Sequence, residues 1–248
     1  MADEKSNDGA LMVAENADIG LGGNPRVVRV AAVDWRMQPG GYWVVGGQMD
    51  SGKTDLLQTV AGLQPPARGT VRLLGCDLAE LSEPELLKQR TRVGFVFKGG
   101  GRMFAEMTVA ENVALPLRYH RDLQEDEALD AVHALLHLTD LDDTGPERPE
   151  RLAESMRQRV GLARALALKP DLLFLDEPLA GLAWRHRQWW LDFMQALANG
   201  IPQMDGKKIG IAVTTNDFAP WQGRKVSFAL IRDRRWQALG EQKELPTL

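Results

Sequence analysis

Apolar residues in this chain fall into short runs separated by glycine and proline turns, and a long stretch of helical spacing divides them into two groups. Leu11 to Ala14 predicts the start of an edge strand, after a loose tail over residues 1 to about 10. Gly20-Leu21-Gly22-Gly23-Asn24-Pro25 is turn chemistry, and Arg26 to Val33 predicts the next strand. Gln38-Pro39-Gly40-Gly41 then turns into the run Tyr42-Trp43-Val44-Val45, which precedes a glycine-rich segment and a helical stretch, Leu56 to Ala61. Pro65 to Gly69 reads as a turn and Thr70 to Gly75 as a short edge strand. Arg92 to Phe97 has the composition of a buried strand ending at Lys98, and Gly99-Gly100-Gly101 reads as a flexible joint.

From residue 99 to about 160 no strand pattern is convincing, and this block predicts a helical subdomain. Thr108 is positioned to cap a helix through Val109, Asn112, Val113 and Leu115 that stops at Pro116. Glu127 to Leu138 is amphipathic, with Leu129, Val132, Leu135 and Leu136 on its apolar side. Leu152 to Leu168 repeats at helical spacing through Met156, Val160, Ala163 and Ala167. Strands return at Asp171 to Leu175, Ile209 to Thr214 and Val226 to Ile231, with Asp233 to Trp236 turning after the last. The expectation is one α/β protein with a parallel core sheet, an antiparallel β part and a helical subdomain. Residues 1–98 and 161–248 form the core, and 99–160 the insertion.

Composition narrows the class. The 248 residues are 44% hydrophobic and 26% charged, as in a globular protein able to bury a large core. The formal net charge of −4 offers no basic field for nucleic acid. The single cysteine, Cys76, excludes an internal disulfide, and no apolar run reaches the length of a membrane span. The acidic, polar first residues are unlike a signal peptide. Any role at a membrane is expected to run through a partner.

Candidate chemistry centres on Gly47-Gln48-Met49-Asp50-Ser51-Gly52-Lys53-Thr54, followed by Asp55, which fits G-x-x-x-x-G-K-[ST] between a strand and a helix. Such a loop aims backbone N–H groups and a helix N-terminus at phosphate. Lys53 is positioned to reach the β- and γ-phosphates and Thr54 to hold Mg²⁺ through its hydroxyl. The second candidate is Asp176-Glu177, ending the apolar run Leu172 to Leu175, where open α/β sheets place ligands. Asp176 would complete the Mg²⁺ site with Thr54, and Glu177 would orient or deprotonate an attacking water. His133 and His137 lie four apart without the carboxylate of a zinc helix, so a surface pair is expected. Trp184, Trp189 and Trp190 read as helix packing or a subunit contact, and Arg157, Arg159 and Arg164 as a solvated helix face.

The order of these pieces resembles ABC transporter ATPase subunits over residues 26 to about 244. Val93 to Lys98 is similar to that family's strand into the Q-loop, Met107 to Leu117 to the segment after it, and Gln158 to Leu166 to the helix after its signature. The wording of Val109 to Leu117 is most similar to ATPases of Mla/Mce-type lipid transporters. The resemblance implies a P-loop NTPase of ABC ATPase type that uses ATP and Mg²⁺. It also implies a second ATPase subunit, the same or different, and a membrane permease, with the chain on the inner face of the membrane.

Several positions depart from the family. The signature falls at Leu152-Ala153-Glu154-Ser155-Met156, without the hydroxyl or the glycine that would approach a partner's phosphate. Lys98 stands for the Q-loop glutamine, Ala183 for the D-loop aspartate and Asn216 for the switch histidine. No aromatic stands near Asp18 to Leu21 to stack on adenine, and Asp50 and Asp55 add acid beside the phosphate loop. Together these imply weak or lost hydrolysis, in the degenerate half of a heterodimer. The rival expectation is a non-hydrolysing scaffold. A DNA- or ribosome-acting ATPase would carry two cassettes or coiled coils, and a small-molecule kinase would not need Gln158 to Leu166.

Overall fold

The computed structural model describes residues 9–121, 125–241, 245, 246 and 248; the tail expected over residues 1 to 10 lies largely outside them. Its strands are β1 (Met12–Leu21), β2 (Asn24–Met37), β3 (Tyr42–Gly47), β4 (Arg68–Leu73), β5 (Cys76–Asp77), β6 (Val93–Val96), β7 (Leu172–Leu175), β8 (Gly210–Thr215), β9 (Ser227–Arg232) and β10 (Arg235–Gly240). The α-helices are α1 (Lys53–Val60), α2 (Glu83–Arg90), α3 (Val109–Arg121), α4 (Glu125–Leu138), α5 (Glu154–Leu166) and α6 (Trp184–Asn199). Among the described residues the strands form one sheet in the order β5-β4-β1-β2-β10-β9-β3-β8-β7-β6. From β9 to β6 neighbouring strands are parallel, while β1, β2, β4 and β5 form the antiparallel part.

The apolar run Leu172 to Leu175 is explained by burial on both faces. Leu173 and Leu175 pack with α3, α4, α5 and α6, whereas Leu172 and Phe174 face the core around α1. That second core holds Leu56, Leu57 and Val60 of α1 against Met12, Ile19, Val30 and Trp35 of the antiparallel strands. Helix α1, which begins at the end of the glycine-rich loop, is thus gripped between the two parts of the sheet.

Several expected elements shift. β1 is interior, between β4 and β2, because its alternating apolar residues are needed against α1. β5 takes the edge expected of β4, and β6 is the other edge. The turn expected over Asp233 to Trp236 is confined to Asp233-Arg234, both at positive φ, and Trp236 lies in β10, an unforeseen strand. Trp236 packs on Trp35, with ring centroids 5.0 Å apart.

Thr108 caps α3 as expected: its N–H donates to the Glu111 carboxylate at 2.7 Å, and its hydroxyl accepts from Glu111 N at 3.2 Å. The helix nevertheless continues through Pro116 to Arg121. An interior proline costs about 3 kcal/mol; burial of Val113 and Leu117 on either side of it opposes that loss. The Asn112 amide also ties the helix to the carbonyls of Phe104, Met107 and Thr108.

In α4 the buried face is Ala128, Val132, Leu135 and Leu136, while Leu129 is 49% exposed. One residue of rotation, 100°, separates Leu129 from the stripe. Leu129→Ala is therefore expected to change stability by less than about 0.5 kcal/mol. Leu136→Ala should cost about 2–5 kcal/mol, both read from urea unfolding midpoints. Arg157, Arg159 and Arg164 are not a solvated face. Arg159 is buried, pairs with Asp140 and lies 4.0 Å from the centroid of the Trp189 ring. Arg157 and Arg164 donate to the carbonyls of Leu152 and Arg102. Long aliphatic stems let arginine cover apolar surface while its head finds carbonyls and carboxylates. Trp190 is fully buried and Trp189 stacks on Phe193, the helix packing expected of them, whereas Trp184 is 73% exposed and does not share it.

Candidate functional site

Parallel strands carry their C-terminal ends to one edge, and three of them converge there. β8 lies between β3 and β7, with Gly46 opposite Thr215 and Leu175 opposite Val213. The glycine-rich loop leaving β3, the hydroxyls ending β8 and the acid pair after β7 therefore meet. The loop and the acid pair border a cavity of about 200 Å³ lined by Arg29, residues 49–55, Lys98, Asp176 and Glu177.

The loop needs its glycines. A Cβ on Gly47 would stand 2.5 Å from Ser51 Oγ and 3.0 Å from the Ile231 carbonyl. Gly52, at φ +95°, is in the left-handed region and packs on Val30. Lys53 is 5% exposed, and its Nζ donates to the Gly47 and Gln48 carbonyls at 2.7 and 2.8 Å. Burial pulls its pKa below the usual lysine range, against the opposing pull of Glu177 and Asp176. Thr54 Oγ1 donates to Asp176 Oδ2 at 2.8 Å, and Thr214 Oγ1 to Asp176 Oδ1 at 2.7 Å. The Glu177 N–H donates to Thr214 Oγ1 at 2.9 Å. Glu177 itself sits at φ +47°.

Glu177 faces two ammonium groups. Lys98 Nζ is 2.6 Å from Oε2, and Lys53 Nζ is 3.7 Å from Oε1. The Glu177 hydrogen bond raises the Lys98 pKa. Asn216 is not in the phosphate cavity. It lines a neighbouring cavity of about 190 Å³ that Glu177 also borders, together with Arg187, Thr215 and Asp217.

The other loop acids are partly committed. Asp55 Oδ1 accepts from the Gly22 N–H at 2.8 Å, joining α1 to the β1–β2 turn. Asp50, at φ +59°, offers its carbonyl to Arg29 Nη2 at 2.5 Å. Met49 is 78% exposed and Gln48 is also at the surface. At Gly20 a Cβ would meet the Asn24 carbonyl at 2.4 Å, so that position of the β1–β2 hairpin admits no side chain. Gly99-Gly100-Gly101 is not a flexible joint. A Cβ on Gly100 would lie 2.4 Å from the Arg157 carbonyl, so its backbone is pressed against α5.

Two residues at the site escaped the sequence reading. Thr214 holds both members of the acid pair; its only signal was a hydroxyl ending an otherwise apolar strand. Arg29 reaches the loop from β2, which no spacing announces. Among the described residues no group of histidine, cysteine and carboxylates is arranged to hold a metal. His137 Nδ1 instead lies 2.8 Å from Asp142. Cys76 is a half-buried free thiol that accepts from Gln89 Nε2 at 3.3 Å.

The chemistry of the donor set suits a magnesium-bound polyphosphate. Thr54 and Asp176 place a hydroxyl and a carboxylate side by side, an oxygen pair of the kind Mg²⁺ takes. Ser51 lines the same cavity, and its buried Oγ has no hydrogen-bond partner among the described residues.

The sequence pattern of the ABC transporter family matches residues 30–180. The methionine import ATP-binding protein MetN of Lacticaseibacillus paracasei is 34% identical over 193 residues, 77% of this chain and 54% of that protein. A probable ribonucleotide transport ATP-binding protein of Mycobacterium leprae is 38% identical over 139 residues, 56% of this chain and 40% of that one. The chain thus spans about half the length of the curated relatives it matches. In fold it is similar to the dimeric ATP-binding cassette MJ0796 bound to ADP and Pi, with a TM-score of 0.80 at 23% identity. That likeness covers 93% of this chain and all of the other. CbiO1 of Clostridium perfringens, part of the ABC transporter complex cbiONQ, gives 0.76 at 21% identity over 93% of this chain and 88% of the other.

Proposed function

Because this chain belongs to the ABC transporter family of ATP-binding domains, we propose that it is the ATP-binding subunit of a transporter, working on a membrane permease. The observation that carries the reading is the meeting of Lys53, Thr54 and Asp176 around one cavity at the ends of three parallel strands. Lys53 would pair with the β- and γ-phosphates, and Thr54 and Asp176 would hold Mg²⁺. Glu177 is the group placed to orient or deprotonate water. ATP supplies the binding energy for closing two such subunits, and its hydrolysis lets them part.

A cleft of about 440 Å³ supports permease docking. It lies between the core and the helical block, and Leu87, Phe95, Phe104, Leu115 and Tyr119 line it. Phe104 and Tyr119 are exposed there, although both are large and partly apolar. Among the described residues no helix is long and apolar enough to cross a membrane. The placement we propose is therefore peripheral, on the inner face, through the permease. We divide the chain into a core of residues 1–98 and 161–248 and a helical subdomain of residues 99–160.

We also propose a heterodimer in which this chain supplies the degenerate signature. Ala153 is the N-cap of α5 without a side-chain cap, and Glu154 occupies the first turn. A carboxylate there already satisfies the positive helix end and repels an incoming phosphate. The Lys98–Glu177 contact favours the second reading, a non-hydrolysing member of a membrane complex. For the cargo, the wording of Val109 to Leu117 supports a lipid, whereas the relatives named above are a methionine and a ribonucleotide transport protein.

Purified chain is expected to bind ATP and to turn it over slowly alone. No nucleotide binding under any condition removes the ATP-subunit reading, and brisk turnover by the homodimer removes the degenerate-half reading. In the native complex Glu177 would face the partner's intact signature, so Glu177→Gln is expected to lower ATPase by about 10²-fold or more; an unchanged rate would mean that this chain's own site is not catalytic. Identifying the co-purifying permease decides the cargo.

A further inference from the structure

We propose that Lys98 is a resident counter-cation of this site: it neutralises Glu177, frees Lys53 for phosphate, and lets the cavity take a triphosphate without a divalent cation. The proposal rests on the nucleotide-site reading above and adds how the site manages charge.

The placement of Lys98 is built into the sheet. β6 lies beside β7 in parallel, with Val96 opposite Leu175, and Asp176 N donates to the Val96 carbonyl at 2.9 Å. Lys98 and Glu177, each two residues beyond those partners, therefore leave adjacent strand ends side by side. The chain after Lys98 is fixed by close packing. Gly100 approaches the Arg157 carbonyl, and a Cβ on Gly161 would stand 2.5 Å from the Gly100 carbonyl. Lys98 thus springs from an anchored backbone, while its own side chain is 62% exposed at the cavity rim.

The charges around the cavity then sort themselves. Glu177 gives one carboxylate oxygen to each lysine, at 2.6 and 3.7 Å. The shorter contact belongs to Lys98, so Glu177 keeps a counter-ion when Lys53 turns towards phosphate. Asp55 is held by the Gly22 N–H, and Asp176 by two hydroxyls. Arg29, Lys53 and Lys98 then remain as cations facing Asp50 and the incoming anion. A lysine on a flexible stem can contact both Glu177 and a terminal phosphate from the rim.

The test is ATP binding by calorimetry, in EDTA and in Mg²⁺, for the native chain and for Lys98→Gln. The native chain is expected to bind in EDTA within about tenfold of its Mg²⁺ affinity. Lys98→Gln should lose about tenfold or more in EDTA, the effect of one unit charge a few ångströms from phosphate. In Mg²⁺ it should lose less than about threefold, because the metal supplies the charge, and Lys98→Arg should restore binding in EDTA. Native binding that falls by more than tenfold without Mg²⁺ overturns the proposal, as does an equal loss for Lys98→Gln in both conditions. Binding that requires Mg²⁺ leaves the ATP-subunit reading standing; no binding in either condition removes both.

Discussion

Lys53→Ala is expected to weaken ATP binding by about 100-fold or more in Mg²⁺, measured by calorimetry. A hydrogen bond to a charged group contributes about 1.5–3 kcal/mol, and a buried ammonium facing several phosphate oxygens lies at the upper end or beyond it. Lys53 is buried and kept from solvent by the loop that it bridges, so no water can replace it cheaply. Lys98 and Arg29 act from the cavity rim, beside Glu177 and the Asp50 carbonyl, and neither can take the buried place that Lys53 holds within the loop. A loss smaller than about fivefold, with a native circular dichroism spectrum, would show that phosphate does not lie against this loop. Lys53→Arg should not rescue binding, because a forked guanidinium cannot fit between carbonyls spaced for one ammonium.

A valine at Gly161 is expected to cost about 3 kcal/mol or more in urea unfolding. The first carbon of any side chain there would stand 2.5 Å from the Gly100 carbonyl and 2.8 Å from its Cα. Backbone is what stands in the way, and it cannot rotate aside as a side chain would. Overpacking commonly costs about 1–3 kcal/mol, and a clash with three backbone atoms of Gly100 belongs at the top of that range. Helix propensity works weakly in the opposite direction, since valine is a somewhat better helix former than glycine, and the clash outweighs it. Because Gly100 follows Lys98 by two residues, the same variant should displace Lys98 and weaken Mg²⁺-free nucleotide binding. Stability within 1 kcal/mol of the native chain would mean that α5 and this loop do not pack as closely as the structure has them.

Much of the site was legible in the chain because it is local. Gly47 to Thr54 forms one loop between one strand and one helix, and its geometry follows from glycine positions a few residues apart. Asp176-Glu177 was legible because a strand buried on both faces must be apolar, and polar residues mark where it leaves the core. The capping pair Thr108 and Glu111 was equally local. Failures came where a competing contact lay far along the chain. Pro116 looked like a helix stop until Val113 and Leu117 proved to be core residues. Arg159 looked like a surface arginine until Asp140 and Trp189 stood against it. The triple glycine looked like slack and is a close contact with α5.

Residue order alone determined the glycine-rich loop between β3 and α1, the acid pair ending β7, the helical stretch between β6 and β7 and the α/β class, since each is written within a few neighbouring positions. Only the tertiary structure decided that Thr214 would clasp Asp176, that Lys98 would sit on Glu177, and that Asn216 would face a different cavity. Those outcomes depend on which strands lie side by side. Strand order is set by the packing of two cores at once, and no short stretch of sequence carries it.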